Sequence, residues 1–271
     1  MKYSANYSNK IKLADFDEII IRYDMQEVEL LSFLREHSTQ SIILSIDDVI
    51  KFSEGAGWRV LNAYYTEFKN LSVRFYSPQP FQEIPAIVQS SCANLDMPYF
   101  FGLFATNFDH LHYLLQHGAS QVYVAEDLCF DLIRAKRLCA PNAVQLRTFP
   151  NVCQAAVKST PALKKFFIRP EDITEYEDCI DVCEFWGPLD RQEVLLRIYK
   201  KGIWFGDLQD LILELDIPFD SRCIVPIFAR VRKECKRECM KGGRCGVCDR
   251  IYNISGKMQE KNLLFTRQKN D

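Results

Sequence analysis

Four cysteines, Cys235, Cys239, Cys245 and Cys248, fall within fourteen residues of one another in the stretch RKECKRECMKGGRCGVCDR, spaced C-x3-C-x5-C-x2-C. Four thiolates this close form a soft ligand set that suits zinc or an iron–sulfur cluster. Structural zinc sites usually pair two short Cys hooks across a gap of about a dozen residues. Here the gap is five, with Gly242 and Gly243 inside it, which suits wrapping four ligands around a larger cluster. From Arg230 to Arg250 eight Lys or Arg residues stand against Glu234, Glu238 and Asp249, a local net charge of +5. That charge would offset an anionic cluster or hold RNA phosphates. An iron–sulfur cluster is the first expectation and zinc the alternative, with a metal-free tail third. Cys179, Cys183 or Cys223 could replace one of the four ligands.

A second set of chemically capable residues stands where apolar runs end. Eight such runs are visible: 17–24, 41–47, 71–77, 98–105, 120–127, 143–149, 164–171 and 179–186. They are rich in Ile, Val, Phe and Tyr, as buried strands are. Their ends offer Arg22 and Asp24, Asp47 and Asp48, Arg74 and Tyr76, Thr106, Glu126 and Asp127, Arg147, Arg169 and Glu171, then Glu184 and Trp186. Arginine forks bind carboxylates or phosphates at two points. Arg22, Arg147 and Arg169 are therefore the expected anion holders, and Glu126, Glu184 and Asp24 the acid/base candidates. The competing expectation for each of these residues is an internal ion pair.

The elements that must position these residues alternate. Amphipathic helical patterns at 25–38, 107–118 and 127–139 separate the strands, and a longer one runs from 191 to 216. Strand–helix alternation builds a parallel sheet with right-handed crossovers, and eight units match a compact (β/α)8 barrel over residues 1–216. An open doubly wound sheet is the alternative, but no G-x-G-x-x-G or G-x-x-x-x-G-K-[ST] loop is present to announce its nucleotide site. Residues 217–271 read as a cysteine-rich, metal-binding appendage packed on the barrel, with a polar tail.

The 271-residue chain has 48% hydrophobic and 26% charged residues and a net charge of -2, the profile of an ordinary globular protein with no global pull toward polyanions. The N-terminus MKYSANYSNKIKLADFDE lacks an apolar core, and runs such as MPYFFGLFA are too short to span a bilayer. No membrane association is expected. A cytoplasmic location is, so the eleven cysteines are read as reduced thiols. His110, His112 and His117 lack same-face spacing, and no G-x-S-x-G motif occurs.

The stretch PYFFGLFATNFDHLHYLLQHGASQVYVAEDLCFDLIRAK (98–136) resembles the middle of the collagenase-like peptidase superfamily, which includes prephenate-dependent RNA hydroxylases and oxygen-independent ubiquinone hydroxylation factors. The resemblance is carried by Gly118-Ala119-Ser120, by the apolar strand Gln121 to Ala125, and by Glu126-Asp127-Leu128. FFIRPEDI (166–173) has a similar flavour, and RCGVCDR (244–250) resembles the Arg-Gly-x-Cys-x-x-x-Cys-Arg ending of that family, with a shorter gap between the cysteines. The resemblance implies a barrel-like α/β fold and a four-cysteine iron–sulfur cluster. It also implies action on RNA or a quinone precursor; together with the basic segment 230–250 and the charged strand ends, the expected substrate is RNA or a small anionic metabolite. A non-catalytic, zinc-stabilised module that binds nucleic acid or a partner protein is the reading from a different class.

Overall fold

Eight short strands, β1 (Lys2–Asn6), β2 (Glu18–Arg22), β3 (Ser41–Ile46), β4 (Leu71–Phe75), β5 (Tyr99–Ala105), β6 (Gln121–Val124), β7 (Gln145–Thr148) and β8 (Val182–Glu184), pair in parallel and in chain order. β8 returns to β1, so the sheet closes on itself as a (β/α)8 barrel. The computed structural model describes residues 1–7, 12–23, 27–47, 52, 57–76, 93–105, 108–124, 144–152, 167–213, 215, 220–224, 228–233 and 246–268. Within the helices, side chains at 229, 232, 233, 248 and 262–268 are outside that description.

Period-two alternation decides which side chains go where. On β2 and β3, Ile19, Ile21, Ile42 and Leu44 point outward and are fully buried under the helical layer. Each such side chain contributes roughly 1.5–3 kcal/mol of transfer free energy. The alternate residues point inward: Glu18, Ile20 and Arg22 on β2, then Ile43 and Ser45 on β3. Helices α1 (Glu27–Glu36), α2 (Gly57–Glu67) and α3 (Phe108–Gln116) turn Leu30, Leu34, Leu61, Leu111 and Leu114 onto the outward face of the sheet. α3 ends in a Schellman turn, in which the Gly118 N–H donates to Leu115 and the Ala119 N–H to Leu114. Gly118 has a φ of 77°, where a side chain would be strained, so the Gly-Ala-Ser turn is set by backbone need.

Strand membership differs from the sequence reading at two places. KYSAN is a strand, although it is short and half polar; its Ser4 and Asn6 face the barrel interior, where polar residues are the rule in this protein. The apolar run 164–171 is no strand over its described part. Phe167 and Ile168 are buried, and Pro170 then starts a 3-10 helix, Pro170–Tyr176. Proline supplies no N–H for a ladder and presets the helical φ, so an apolar run leading into Arg-Pro-Glu-Asp turns helical. The count of eight survives because one strand enters as another leaves.

After β8, α4 (Gln192–Lys201) packs on Pro170–Tyr176, and the chain continues through α5 (Leu208–Leu211), a 3-10 turn at Ser221–Cys223, α6 (Phe228–Lys233) and α7 (Val247–Gln268). Leu208, Leu211, Cys223, Ile224, Phe228 and Ile251 belong to the same hydrophobic cluster as the outer face of the barrel. Among the described residues no helix is long and apolar enough to cross a membrane.

Candidate active site at the barrel mouth

Register brings distant residues together. Arg22, Ser45, Arg74 and Phe100 are partners along one row crossing β2, β3, β4 and β5. Across the ring, Glu184 pairs with Ser4, and Ser4 with Glu18. The inward side chains of these rows meet on the axis in an ion-pair network. Arg74 donates to Glu184 at 2.9 Å, to the Tyr123 hydroxyl at 2.9 Å, and through Nε and Nη2 to Ser45 at 3.1 and 3.0 Å. Deeper in, Arg147 donates to Glu18 and Gln121, both at 2.6 Å, and to Glu184 at 3.3 Å. Tyr123 donates to the second oxygen of Glu184.

These charges are buried. Arg147 and Glu184 are 0% exposed, so each depends on its partners. Burial alone would lower the pKa of both arginines. The oxygens of Tyr123 and Glu184 around Arg74, and those of Tyr123, Glu18 and Glu184 around Arg147, outweigh it and hold both groups cationic. Burial pushes the Tyr123 phenol up to about 12, with Glu184 adding to the rise against the two arginines, so Tyr123 stays a donor. The two halves of the interior are filled differently. On the β5–β7 side Phe100, Phe104, Tyr123 and Phe149 form an aromatic plug, with Tyr123 stacked on Phe149 at 5.3 Å between centroids.

On the β8 and β1–β4 side, above the network, lies a cavity of about 510 Å³ at the C-terminal ends of the strands. Asn6, Arg22, Asp47, Arg74, Tyr76 and Trp186 line it, with Ser45 and the turn Gly187-Pro188. Its volume is that of a small-molecule site, and its place is where barrel enzymes bind substrate. Two arginines face one aspartate among the lining residues. Arg22 pairs with Asp47 at 3.1 Å at a half-exposed rim, while Arg74 forms the buried floor. Trp186 is held by its backbone: its N–H donates to Asn151 Oδ1 at 3.0 Å, and its carbonyl accepts from Asn151 Nδ2 at 2.7 Å.

The sequence-derived candidates separate in space. Arg22 lines the cavity. Arg147 and Glu184 lie beneath it in the axial network, where every oxygen of Glu184 already accepts a hydrogen bond. Arg169 is elsewhere. It sits outside the barrel, donates to both oxygens of Asp172 at 2.6 Å and to the Ser221 carbonyl at 3.1 Å, and covers the Phe228 ring. Its neighbour Glu171 accepts from the Trp204 N–H and the Ser221 hydroxyl. Because residues 167–171 are not a strand, Arg169 is a clasp for the C-terminal segment and not a mouth residue. Asp24 and Glu126 lie outside the described residues.

Sequence reasoning placed Asp47, Arg74, Tyr76 and Trp186 at strand ends without choosing them. Asn6 was missed with its strand, and Asn151 carried no signal that a sequence could show. Of the four cluster cysteines, Cys235, Cys239 and Cys245 lie outside the described residues, and Cys248 falls in the first turn of α7. Most of the basic segment 230–250 is likewise outside them. Among the described residues no three His, Cys, Asp or Glu side chains stand close enough to hold a metal ion.

No protein-family model matches the chain, and no curated protein matches its sequence. Among solved structures the chain is similar to tryptophan synthase subunit alpha from Legionella pneumophila str. Paris, at 11% identity and a TM-score of 0.45, covering 74% of this chain and 91% of that one.

Proposed function

We propose that this barrel is an enzyme that takes a small anionic substrate at the C-terminal ends of β1–β4 and β8. The observation that carries the reading is the cavity of about 510 Å³ floored by the buried guanidinium of Arg74. A buried cation with fixed partners is preorganised for a carboxylate or phosphate, because its orientation costs nothing at the moment of binding. Glu184, Tyr123 and Ser45 are the positioning residues that hold Arg74. Arg22 supplies the second cation at the rim. Asp47 is the carboxylate that lines the cavity, and proton transfer is assigned to it in place of Glu184, whose oxygens are committed below.

The four-cysteine centre remains part of the proposal as a soft-metal site, with an iron–sulfur cluster first and zinc as the alternative. Its support is the chemistry of the donor set, Cys235, Cys239, Cys245 and Cys248. An iron–sulfur cluster would supply electron transfer, and zinc would supply a fold-stabilising tie.

The test of the anion site is calorimetric titration of the full chain with inorganic phosphate and small organic phosphates and carboxylates. Binding should weaken with salt and fall at least about tenfold in Arg74→Gln, the loss of one charge-assisted contact. Unchanged affinity in a folded Arg74→Gln protein would sink the reading.

A further inference from the structure

The cavity has a second chemical character besides its charge. Strands run in order around the ring, so β4 and β8 stand half a turn apart, and an aromatic residue follows each at the mouth: Tyr76 directly after β4 and Trp186 two residues beyond β8. Both line the cavity, and both are unusually exposed for large rings in this protein, Tyr76 at 39% and Trp186 at 47%. Neither is loosely placed. Trp186 packs edge-on against Phe149 at 5.4 Å between centroids, and Phe149 stacks in turn on Tyr123. The aromatic plug of the β5–β7 side thus continues up to the cavity wall and ends in Trp186, whose backbone Asn151 fixes at two points.

Tyr76 owes its seat to a glycine. A Cβ built on Gly102 of β5 would lie 2.5 Å from Tyr76 Cδ2 and 3.2 Å from Cε2. The Tyr76 ring therefore lies directly over the β5 backbone at Gly102, where the register with β6 shifts between Phe101 and Phe104. Any side chain at 102 would drive the ring off that seat, so Gly102 is a positioning residue for this wall.

Resting on the anion site proposed above, we propose that the anionic substrate carries a planar ring, seated between Tyr76 and Trp186 with its charged group on Arg74 and Arg22. Offset or edge-on contact with two fixed rings favours a planar, unsaturated partner over a saturated one of equal bulk.

Calorimetry on the full chain tests this with two matched pairs: benzoate against cyclohexanecarboxylate, and phenyl phosphate against cyclohexyl phosphate. The pairs separate a carboxylate from a phosphate head group while holding size and charge. The planar member of the binding pair should be about two- to tenfold tighter, the increment one aromatic contact provides. Trp186→Leu and Gly102→Ala should each bring that ratio toward one, because the planar member loses more affinity than the saturated one when an aromatic face is removed or displaced. Tyr76→Leu replaces Gly102→Ala if the latter does not match the wild-type circular dichroism and unfolding temperature. Equal binding of planar and saturated members, or a ratio unchanged in the variants, overturns the ring and leaves the anion site standing. Failure of all four probes to bind overturns both.

Discussion

Arg147→Met distinguishes a substrate-binding arginine from a structural one. The wild-type guanidinium is completely buried and donates to Glu18 at 2.6 Å, Gln121 at 2.6 Å and Glu184 at 3.3 Å. Glu184 would keep Arg74 and Tyr123, but among the described residues Glu18 would lose its one hydrogen-bond donor. Breaking a buried pair from one side costs about 3–5 kcal/mol, because the remaining charge is left without compensation. For a chain of this size that lowers the unfolding temperature by about 6–20 °C. Urea unfolding at pH 7 measures the loss, and Arg147→Met combined with Glu18→Gln should recover most of it. A cost below about 1 kcal/mol at pH 7 would refute the buried network as the role of Arg147.

Two further outcomes are expected. Anaerobically purified protein should be brown, with iron and sulfide in stoichiometric amounts that Cys235→Ala and Cys248→Ala abolish; colourless protein carrying one zinc selects the structural alternative. Burial pushes the Cys183 thiol from 9.0 up to about 12, with its Sγ 3.1 Å from Met1 Sδ. The folded protein should therefore leave Cys183 unalkylated at pH 8 by mass spectrometry. Because the unfolded chain releases that proton earlier, stability should fall as pH rises between those values, and Cys183→Ala should flatten the slope.

Much of the barrel was legible because burial on both faces leaves a simple mark. Runs such as SIILSI and QVYV are apolar enough to be strands in any context, and helical periodicity between them dictates parallel pairing. Two runs misled for opposite reasons. KYSAN is a strand whose inward residues are polar, because this barrel has a charged interior, while KKFFIRPE is apolar but carries a proline that cannot join a ladder. The same two facts explain the site. Arg169 was placed at the mouth by a run whose described residues, 167–171, form no strand, and Asn6 was missed with a strand that is present.

Sequence by itself determined the period, seven of the eight strands and most of the charged residues at their ends, because these are local properties of neighbouring residues. It also determined the spacing of the four cysteines, and with it their suitability for a soft metal. Only the tertiary structure decided which charges meet. Arg74 and Arg147 sit on inward positions of neighbouring rows, and closing the sheet brings Glu18 and Glu184 to them from across the ring. One arginine is consumed in the axis and another floors a cavity, a distinction set by depth along the barrel. Depth is a property of strand register and stagger, and no pattern along a single chain records it.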